Sequence, residues 1–293
     1  KALLEKSDEF DAVIKMGRTQ LQDAVPIRLG QEFHAYASAI GRDIRRFDNA
    51  KEEIRSLNMG GTAIGTGLNA DSTYFHRVVK NMSSITGEEL VQSYDTIDAT
   101  QNLDSYAMVS GIVKSCAVNL SKMCNDLRLM SSGPRTGFCE INLPAKQNGS
   151  SIMPGKINPV IPEVVNQVAF NIIGNDVTIT MAAEAGQLEL NAFEPIIFYN
   201  LFESIQTLSN AVQTLVDNCI VGITANEEHC REMVESSIGI ITAICPYVGY
   251  ETAANIAKEA LRTNQSVREL ILQKKLLSEE QLKTCLLYTS PSP

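Results

Sequence analysis

Apolar residues recur at helical spacing along most of this chain and divide it into a few long segments. From Leu29 to Ile54 the apolar positions advance in steps of three, four and seven residues, which predicts one face of a long helix ending near Asn58. The same pattern predicts three further long helices: 98–130, 159–186 and 195–219. Long apolar stripes with few strand signals predict an all-α, long-helix bundle.

Beyond Gly222 the pattern changes to shorter helical segments. Three pairs have the capping-box spacing of a helix start: Thr224 with Glu227, Ser266 with Glu269, and Ser278 with Gln281. We therefore predict two domains, a central helical bundle over residues 1–222 and a small helical C-terminal domain over residues 223–293. The terminal sequence LLYTSPSP has no pattern and is predicted to be a disordered or non-native tail.

Two polar, breaker-bounded segments interrupt the helical pattern early in the chain. Residues 17–26, GRTQLQDAVP, are most simply interpreted from composition as a surface turn that caps the next helix. Residues 60–69, GGTAIGTGLN, contain no GK[ST] and follow no predicted strand, so a tight connection between helices is favoured over a phosphate loop. A short helix is predicted from Asp71 to Ile85.

The longest interruption covers residues 131–158 and ends in the decapeptide GSSIMPGKIN. Irregular segments of this length inside a compact domain are usually functional or disordered. Apolar anchors at Ile141, Leu143, Ile152 and Met153 favour order, and a helix begins directly afterwards. The sequence therefore predicts an ordered or closable active-site loop, although a loop that only joins two helices stays open as an alternative.

A chemical role for the two serines of this loop, Ser150 and Ser151, requires an activating group. Lys156 and the backbone N–H groups exposed by the glycines are candidates, because both stabilise an alkoxide or a developing oxyanion. The three histidines, His34, His76 and His229, each lie in helical patterns far along the chain. Ser-His catalysis therefore has little support.

Charge and cysteine usage restrict the class of partner. The 293 residues include 25 basic and 34 acidic side chains, a net charge of −9, which argues against nucleic-acid binding and requires local donors for any anionic substrate. Seven cysteines without a CxxC pair indicate free thiols in a reducing, cytoplasmic compartment, and no metal site is predicted. No apolar stretch is long enough to predict a membrane span. The chain opens partway through a helical pattern, so an earlier part is expected to be missing.

The segment GSSIMPGKINP resembles the signature of the fumarase and aspartase superfamily. Four further segments resemble that family in the same order: GRTQLQDAVP, GGTAIGTGLN, SKMCNDLRLMSSGPRTGFCEINLP and PEVVNQV. The resemblance covers about residues 4–282. It implies a long-helix bundle with a small helical C-terminal domain, assembled as a homotetramer whose active sites form where three subunits meet.

The same resemblance implies the chemistry of the site. Ser150 would be the catalytic base that takes the Cβ proton of L-aspartate. The residues implied to contact or shape the substrate are Thr19 and Gln20, contributed from another subunit, together with Ser151, Met153, Lys156 and Asn158. Proton abstraction beside a carboxylate creates an aci-carboxylate with two negative charges, so donors such as Lys156 and Asn158 must be in place beforehand. The implied reaction requires no metal, flavin or nucleotide cofactor.

Two segments favour one branch of the family, while other activities remain alternatives. Thr19-Gln20 and the segment GQLELNAFEP resemble the branch of the family that deaminates L-aspartate, whereas fumarate hydratases typically carry Thr-His at the first position. Fumarate hydratase is the second candidate, and a catalytically inactive structural relative is the third. The family's N-terminal motifs, which bind the other carboxylate and the amine, are absent from this sequence.

Overall fold

The computed structural model describes residues 1–147, 149, 152–237, 239–263 and 265–287, and helices account for most of them. The α-helices in these residues are α1 Ala2–Glu9, α2 Leu29–Ile54, α3 Ser72–Thr86, α4 Asp98–Gln101, α5 Asp104–Met130, α6 Val160–Glu184, α7 Glu194–Asn218, α8 Glu227–Ser236, α9 Ile240–Val248, α10 Tyr250–Thr263, α11 Val267–Gln273 and α12 Glu279–Leu287. The short strands are β1 Ile14–Thr19, β2 Gln22–Arg28, β3 Ser56–Leu57, β4 Val91–Gln92, β5 Ile141–Asn142 and β6 Thr224–Ala225. The predicted all-α class is confirmed.

The long helices follow the predicted stripes, with one break that the stripes did not reveal. The segment predicted as a single helix over 98–130 is two helices, α4 and α5, because Asn102 adopts an extended backbone with φ −106° and ψ 133°. The Asn102 side chain donates to Asp98 Oδ1 at 2.6 Å. Such local side-chain bonds compete with the helical ladder.

Residues 17–26 form a β-hairpin, so their interpretation as a surface turn is wrong. Strands β1 and β2 pair antiparallel, and Thr19 pairs with Gln22 across a two-residue tip. At the tip, Gln20 and Leu21 have φ values of +52° and +63°. A two-residue hairpin turn of this type requires positive φ at both central residues, which Asn-Gly usually supplies. Gln-Leu carries no such signal.

Two of the three predicted capping boxes are confirmed, namely Ser266 with Glu269 and Ser278 with Gln281. The third, at Thr224, is wrong. Thr224 lies on strand β6, which pairs antiparallel with β5, and Asn226 precedes the first turn of α8. The strand pairing takes precedence here over the capping pattern, because it joins two segments that are distant in sequence.

The contacts between Cα atoms group the chain into two units. Unit 1 consists of Lys1–Ser38, Asp126–Pro159 and Val216–Pro293, and unit 2 consists of Ala39–Asn125 and Val160–Leu215. Unit 1 includes the C-terminal helices, which share a buried core of Ile240, Ile244, Ile256, Ala260, Val267, Leu270, Ile271, Leu277, Leu282 and Cys285. These units differ in composition from the predicted domains 1–222 and 223–293, and the domain division stays a prediction.

Unit 2 is a bundle whose helices are joined by buried polar contacts. Asp176 on α6 accepts hydrogen bonds from Ser110 and Lys114 of α5, and Asn166 donates to Ser121 Oγ at 2.8 Å. Apolar side chains of the same unit remain exposed on α6 and α7: Phe170, Val177, Met181, Tyr199 and Phe202. Among the described residues, no helix combines the length and apolar character needed to cross a membrane.

Candidate active site

A tight turn presents Lys156 within the glycine-rich loop 149–158. The Lys156 N–H donates to the Met153 carbonyl at 3.2 Å, and Gly155 has φ +81° directly after Pro154. Proline followed by a residue with positive φ is the signature of a type II turn, and glycine adopts that φ without strain. Lys156 at the end of the turn is exposed and has no ion-pair partner among the described residues.

The two ends of this loop are held together. The Asn158 Nδ2 atom donates to the Gly149 carbonyl oxygen at 3.1 Å. A Cβ atom added at Gly149 would lie 1.9 Å from the Lys156 carbonyl oxygen, so only glycine permits this approach. The two predicted catalytic-loop hydroxyls, Ser150 and Ser151, lie outside the described residues.

Lys156 and Asn158 line a cavity of about 730 Å³ in unit 1. Its other side consists of Arg128 and residues between 131 and 143, which we call the cavity wall. Met153 is 46% exposed, close to the cavity in sequence but not among the lining residues. The structure therefore brings together two of the predicted substrate-binding residues, Lys156 and Asn158, with a wall to which the sequence assigned no contact with substrate.

The cavity wall is braced by hydrogen bonds of Ser132. Its Oγ atom donates to the Leu129 carbonyl at 2.6 Å and accepts the Phe138 N–H at 3.0 Å. Its carbonyl oxygen accepts the Cys139 N–H at 2.9 Å. Because these bonds close a loop between 132 and 139, the wall has a defined conformation without helix or strand.

Two asparagines fasten the far end of the wall to the start of α8. Asn142 Nδ2 donates to Asn226 Oδ1 at 2.7 Å, and Asn226 Nδ2 donates to the Cys139 carbonyl at 2.8 Å. Asn142 also lines the cavity. Neither residue was predicted from the sequence, because a two-residue strand at Ile141–Asn142 is too short to reveal a pairing more than 80 positions away.

A buried group of charged residues lies next to the wall in unit 1. Glu140 is 0% exposed, and its carboxylate is paired with Lys15 and Arg18 of β1. Lys15 also pairs with Glu32 at 2.9 Å. Burial raises the pKa of Glu32, and the Lys15 ammonium only partly offsets that effect. We call Lys15, Arg18, Glu32 and Glu140 the Glu140 cluster.

Thr19 and Gln20 occupy the exposed end of the hairpin and do not line this cavity. Their predicted contribution to a site from another subunit therefore stays a prediction. Gln20 is one of the two tip residues held at positive φ. Conformations of this kind cost free energy and persist where surrounding contacts determine them.

None of the seven cysteines, all within the described residues, forms a disulfide. Burial raises the pKa of Cys116, Cys219 and Cys230 to about 12, so these thiols are protonated at neutral pH. Among the described residues, no group of three or more His, Cys, Asp or Glu side chains is arranged to hold a metal ion.

The class of protein follows from two family models. A model described as "Lyase" matches residues 1–174, and one described as "Fumarase C C-terminus" matches residues 240–288. The chain belongs to the fumarase and aspartase superfamily of lyases.

Particular relatives refine this placement. The chain is similar to aspartate ammonia-lyases from a Bacillus species, with 57% identity over 97% of this chain and 60% of the relative, and from Bacillus subtilis, with 56% identity over 95% and 58%. The chain thus spans about three fifths of the length of the curated relatives it matches.

Solved structures agree on the fold. A structure described as fumarate lyase:delta crystallin from Brucella melitensis bound to cobalt matches with a TM-score of 0.93 and 51% identity, over 97% of this chain and 62% of that one. The class II fumarase of Schistosoma mansoni matches with a TM-score of 0.88 and 33% identity, over 97% of this chain and 63% of that one. The bundle fold predicted from the stripes is the fold of this superfamily.

Proposed function

We propose that the whole protein is an aspartate ammonia-lyase, which reversibly converts L-aspartate to fumarate and ammonia. The observation that carries this proposal is the 56–57% identity to proteins of that name over almost the entire chain. The fumarase of known structure is only 33% identical over the same share of the chain. Thr19-Gln20 supports the same assignment, since fumarate hydratases typically carry Thr-His there.

The proposed reaction is an elimination. A base removes a proton from Cβ of L-aspartate, the Cα–N bond breaks, and its electron pair leaves with the amine. The new C=C bond is that of fumarate. Before the amine leaves, the carboxylate beside Cβ carries two negative charges, so catalysis depends on donors that are already arranged around it.

We assign the base to Ser150 and the donors to Lys156 and Asn158. The assignment is supported by the position of the last two on the cavity and by the fixed ends of the loop that contains Ser150. A compact, exposed ammonium next to an amide suits a carboxylate ligand. Ser151 would donate to the same ligand, and Met153 would supply an apolar side of the site.

A homotetramer completes the proposal. The exposed apolar side chains on α6 and α7 of unit 2, including Phe170 and Tyr199, favour a surface covered by further subunits. Thr19 and Gln20 would then reach a neighbouring subunit's site from the exposed hairpin tip. Free, mostly buried thiols fit a reducing compartment, and we place the protein in the cytoplasm.

Fumarate hydration is the second candidate, favoured by the match to the Schistosoma mansoni fumarase. The test is to supply fumarate to the full-length protein either with ammonia or in water alone and to identify the product. We expect L-aspartate in the first mixture and no L-malate in the second. Malate formation would assign the hydratase, and no product from either mixture would identify an inactive relative.

A further inference from the structure

The main chain of Glu140 ties the cavity wall to the end of α5 and to the start of α8. Its N–H donates to the Met130 carbonyl at 2.8 Å, and its carbonyl accepts the Asn226 N–H at 2.9 Å. The next two residues, Ile141 and Asn142, line the cavity. The main chain at Glu140 therefore fixes the position of two residues of the wall.

The side chain of Glu140 points to a different element, the hairpin. Arg18 Nη1 donates to Oε1, and Lys15 Nζ lies 3.0 Å from Oε2. The contact with Lys15 is an ion pair without the direction of a hydrogen bond, because Oε2 has no hydrogen-bond partner. Both cations lie on β1, so one carboxylate fastens the hairpin to the cavity wall.

The charges of the Glu140 cluster balance while both carboxylates are present. The Lys15 and Arg18 side chains are 3% and 13% exposed, and Glu32 is the second carboxylate. Arg18 also donates to the Met16 carbonyl at 3.2 Å and lies 4.2 Å over the Phe138 ring. A buried ion without an opposite charge destabilises the folded state. Loss of the Glu140 charge should therefore weaken the attachment of the hairpin to the cavity wall.

The hairpin tip needs such an anchor. Thr19 and Gln20 directly follow Arg18, and Gln20 and Leu21 are both in the left-handed region. For side chains larger than glycine this conformation is unfavourable and is maintained by neighbouring contacts. Only Thr19 separates Arg18, which pairs with Glu140, from the tip residues Gln20 and Leu21.

We propose that Glu140 is a positioning residue that couples the hairpin tip to the cavity wall, so that one buried carboxylate sets the place of Thr19 and Gln20 and also of residues 139–142. This inference rests on the proposed function, in which the tip contacts substrate. If the tip serves a neighbouring subunit, the same carboxylate links two active sites through a continuous chain of contacts. Displacement of the tip at one site would then shift the wall of another.

Hydrogen exchange tests this coupling without any assay of turnover. The variant is Glu140→Gln in the full-length protein. The matched control is Asp176→Asn, which alters another buried carboxylate paired with a lysine and a serine, on α6. In Glu140→Gln we expect amide exchange to accelerate about tenfold or more both at 19–22 and at 139–142, because the free energy of local opening decreases. Both segments should be unchanged in the control, and α10 should be unchanged in both variants.

Unchanged exchange at 19–22 in Glu140→Gln would overturn the coupling, as would a uniform acceleration across all helices. If Glu140→Gln does not accumulate as folded protein, Lys15→Met with Glu140→Gln takes its place. That pair removes one charge of each sign, so the net charge of the cluster is unchanged. The same two segments are expected to exchange faster.

A double-mutant cycle on kcat/KM for L-aspartate gives an independent readout. If Glu140 acts through the tip, Gln20→Ala should lower kcat/KM much less in the Glu140→Gln background than in wild type. The effect of the double variant on kcat/KM should then differ about tenfold from the product of the two single effects. Asp176→Asn and Gln20→Ala should multiply to within about twofold. Multiplicative effects for Glu140 would refute a positioning role. If the wild-type protein is inactive with both aspartate and fumarate, the proposed function fails, and the exchange experiment alone decides the coupling.

Discussion

At the scale of single residues, the candidate site combines a cation, an amide and a required glycine. Lys156 and Asn158 line the cavity, and the Asn158 Nδ2 atom also donates a hydrogen bond to the Gly149 carbonyl. The sequence predicted both residues from the family signature. It did not predict the second use of Asn158, because a hydrogen bond across nine positions of irregular chain leaves no periodic trace.

Ser150→Ala tests the proposed base. In the full-length protein we expect turnover of L-aspartate to fall by about 10² to 10⁴, the range for loss of a general base. Helix content and thermal unfolding should change little, since a single loop hydroxyl contributes little to stability. Fumarate absorbance and circular dichroism measure the two quantities, and near-normal turnover would remove Ser150 from the mechanism.

Gly149→Ala tests the close approach within the loop. The new Cβ would meet the Lys156 carbonyl at 1.9 Å, so the loop must move and turnover should drop about tenfold or more. Gly41→Ala is the matched control, because Gly41 lies on α2 with open space around its added Cβ. The control should keep full turnover and gain up to about 1 kcal/mol in the free energy of unfolding. Equal turnover in both variants would contradict the steric argument.

Glu32 gives the pH dependence of stability a definite sign. Burial raises its pKa above the ordinary 4.5, so the folded chain holds this proton more tightly than the unfolded chain. The Glu32 contribution to stability is therefore lost as pH rises from 4.5 through the raised folded value. Urea unfolding of wild type and Glu32→Gln at a series of pH values measures it. The free energy of unfolding of wild type relative to the variant should decrease over that window; an increase would mean a lowered pKa.

At the scale of elements, apolar periodicity predicted the long helices and said nothing reliable about the short strands. Helices α2, α6 and α7 lie close to their predicted positions, because each buries one continuous stripe. The hairpin was missed because its tip is Gln-Leu. The β5–β6 pair was missed because two residues cannot show an alternation, and yet these pairings hold the cavity wall.

Leu21→Gly tests the strain of the hairpin tip. Leu21 has φ +63°, and glycine adopts this region without the penalty of about 1–2 kcal/mol that other residues incur. After the extra entropy of glycine in the unfolded chain, we expect a net gain of about 0.5–1 kcal/mol in the free energy of unfolding. Urea denaturation measures the change. Leu68→Gly, at another exposed leucine but without positive φ, should give no gain.

At the scale of the whole molecule, the exposed apolar side chains of unit 2 lead to one prediction. Since each site is proposed to be shared between subunits, we expect any monomeric fraction of the 293-residue chain to form no measurable fumarate from L-aspartate. Its exposed apolar faces should make it associate instead of remaining a monomer. Light scattering after size exclusion, with a fumarate assay on each fraction, tests both; an active monomer would contradict the shared-site proposal.

Unit 1 also has a consequence for synthesis on the ribosome, because its three stretches are far apart in sequence. Arg18 is separated from its partners Glu140 and Met233 by 122 and 215 positions, and Lys6 is separated from the Ile223 carbonyl by 217 positions. Contacts of such long range form late. While the chain is still being translated, Arg18 on β1 therefore lacks its carboxylate partner, whereas Lys15 can already pair with Glu32. Unit 2, which ends at Leu215, is complete before unit 1. A nascent chain that stalls after Arg18 and before Glu140 would expose the hairpin to chaperones and proteases without its anchoring carboxylate.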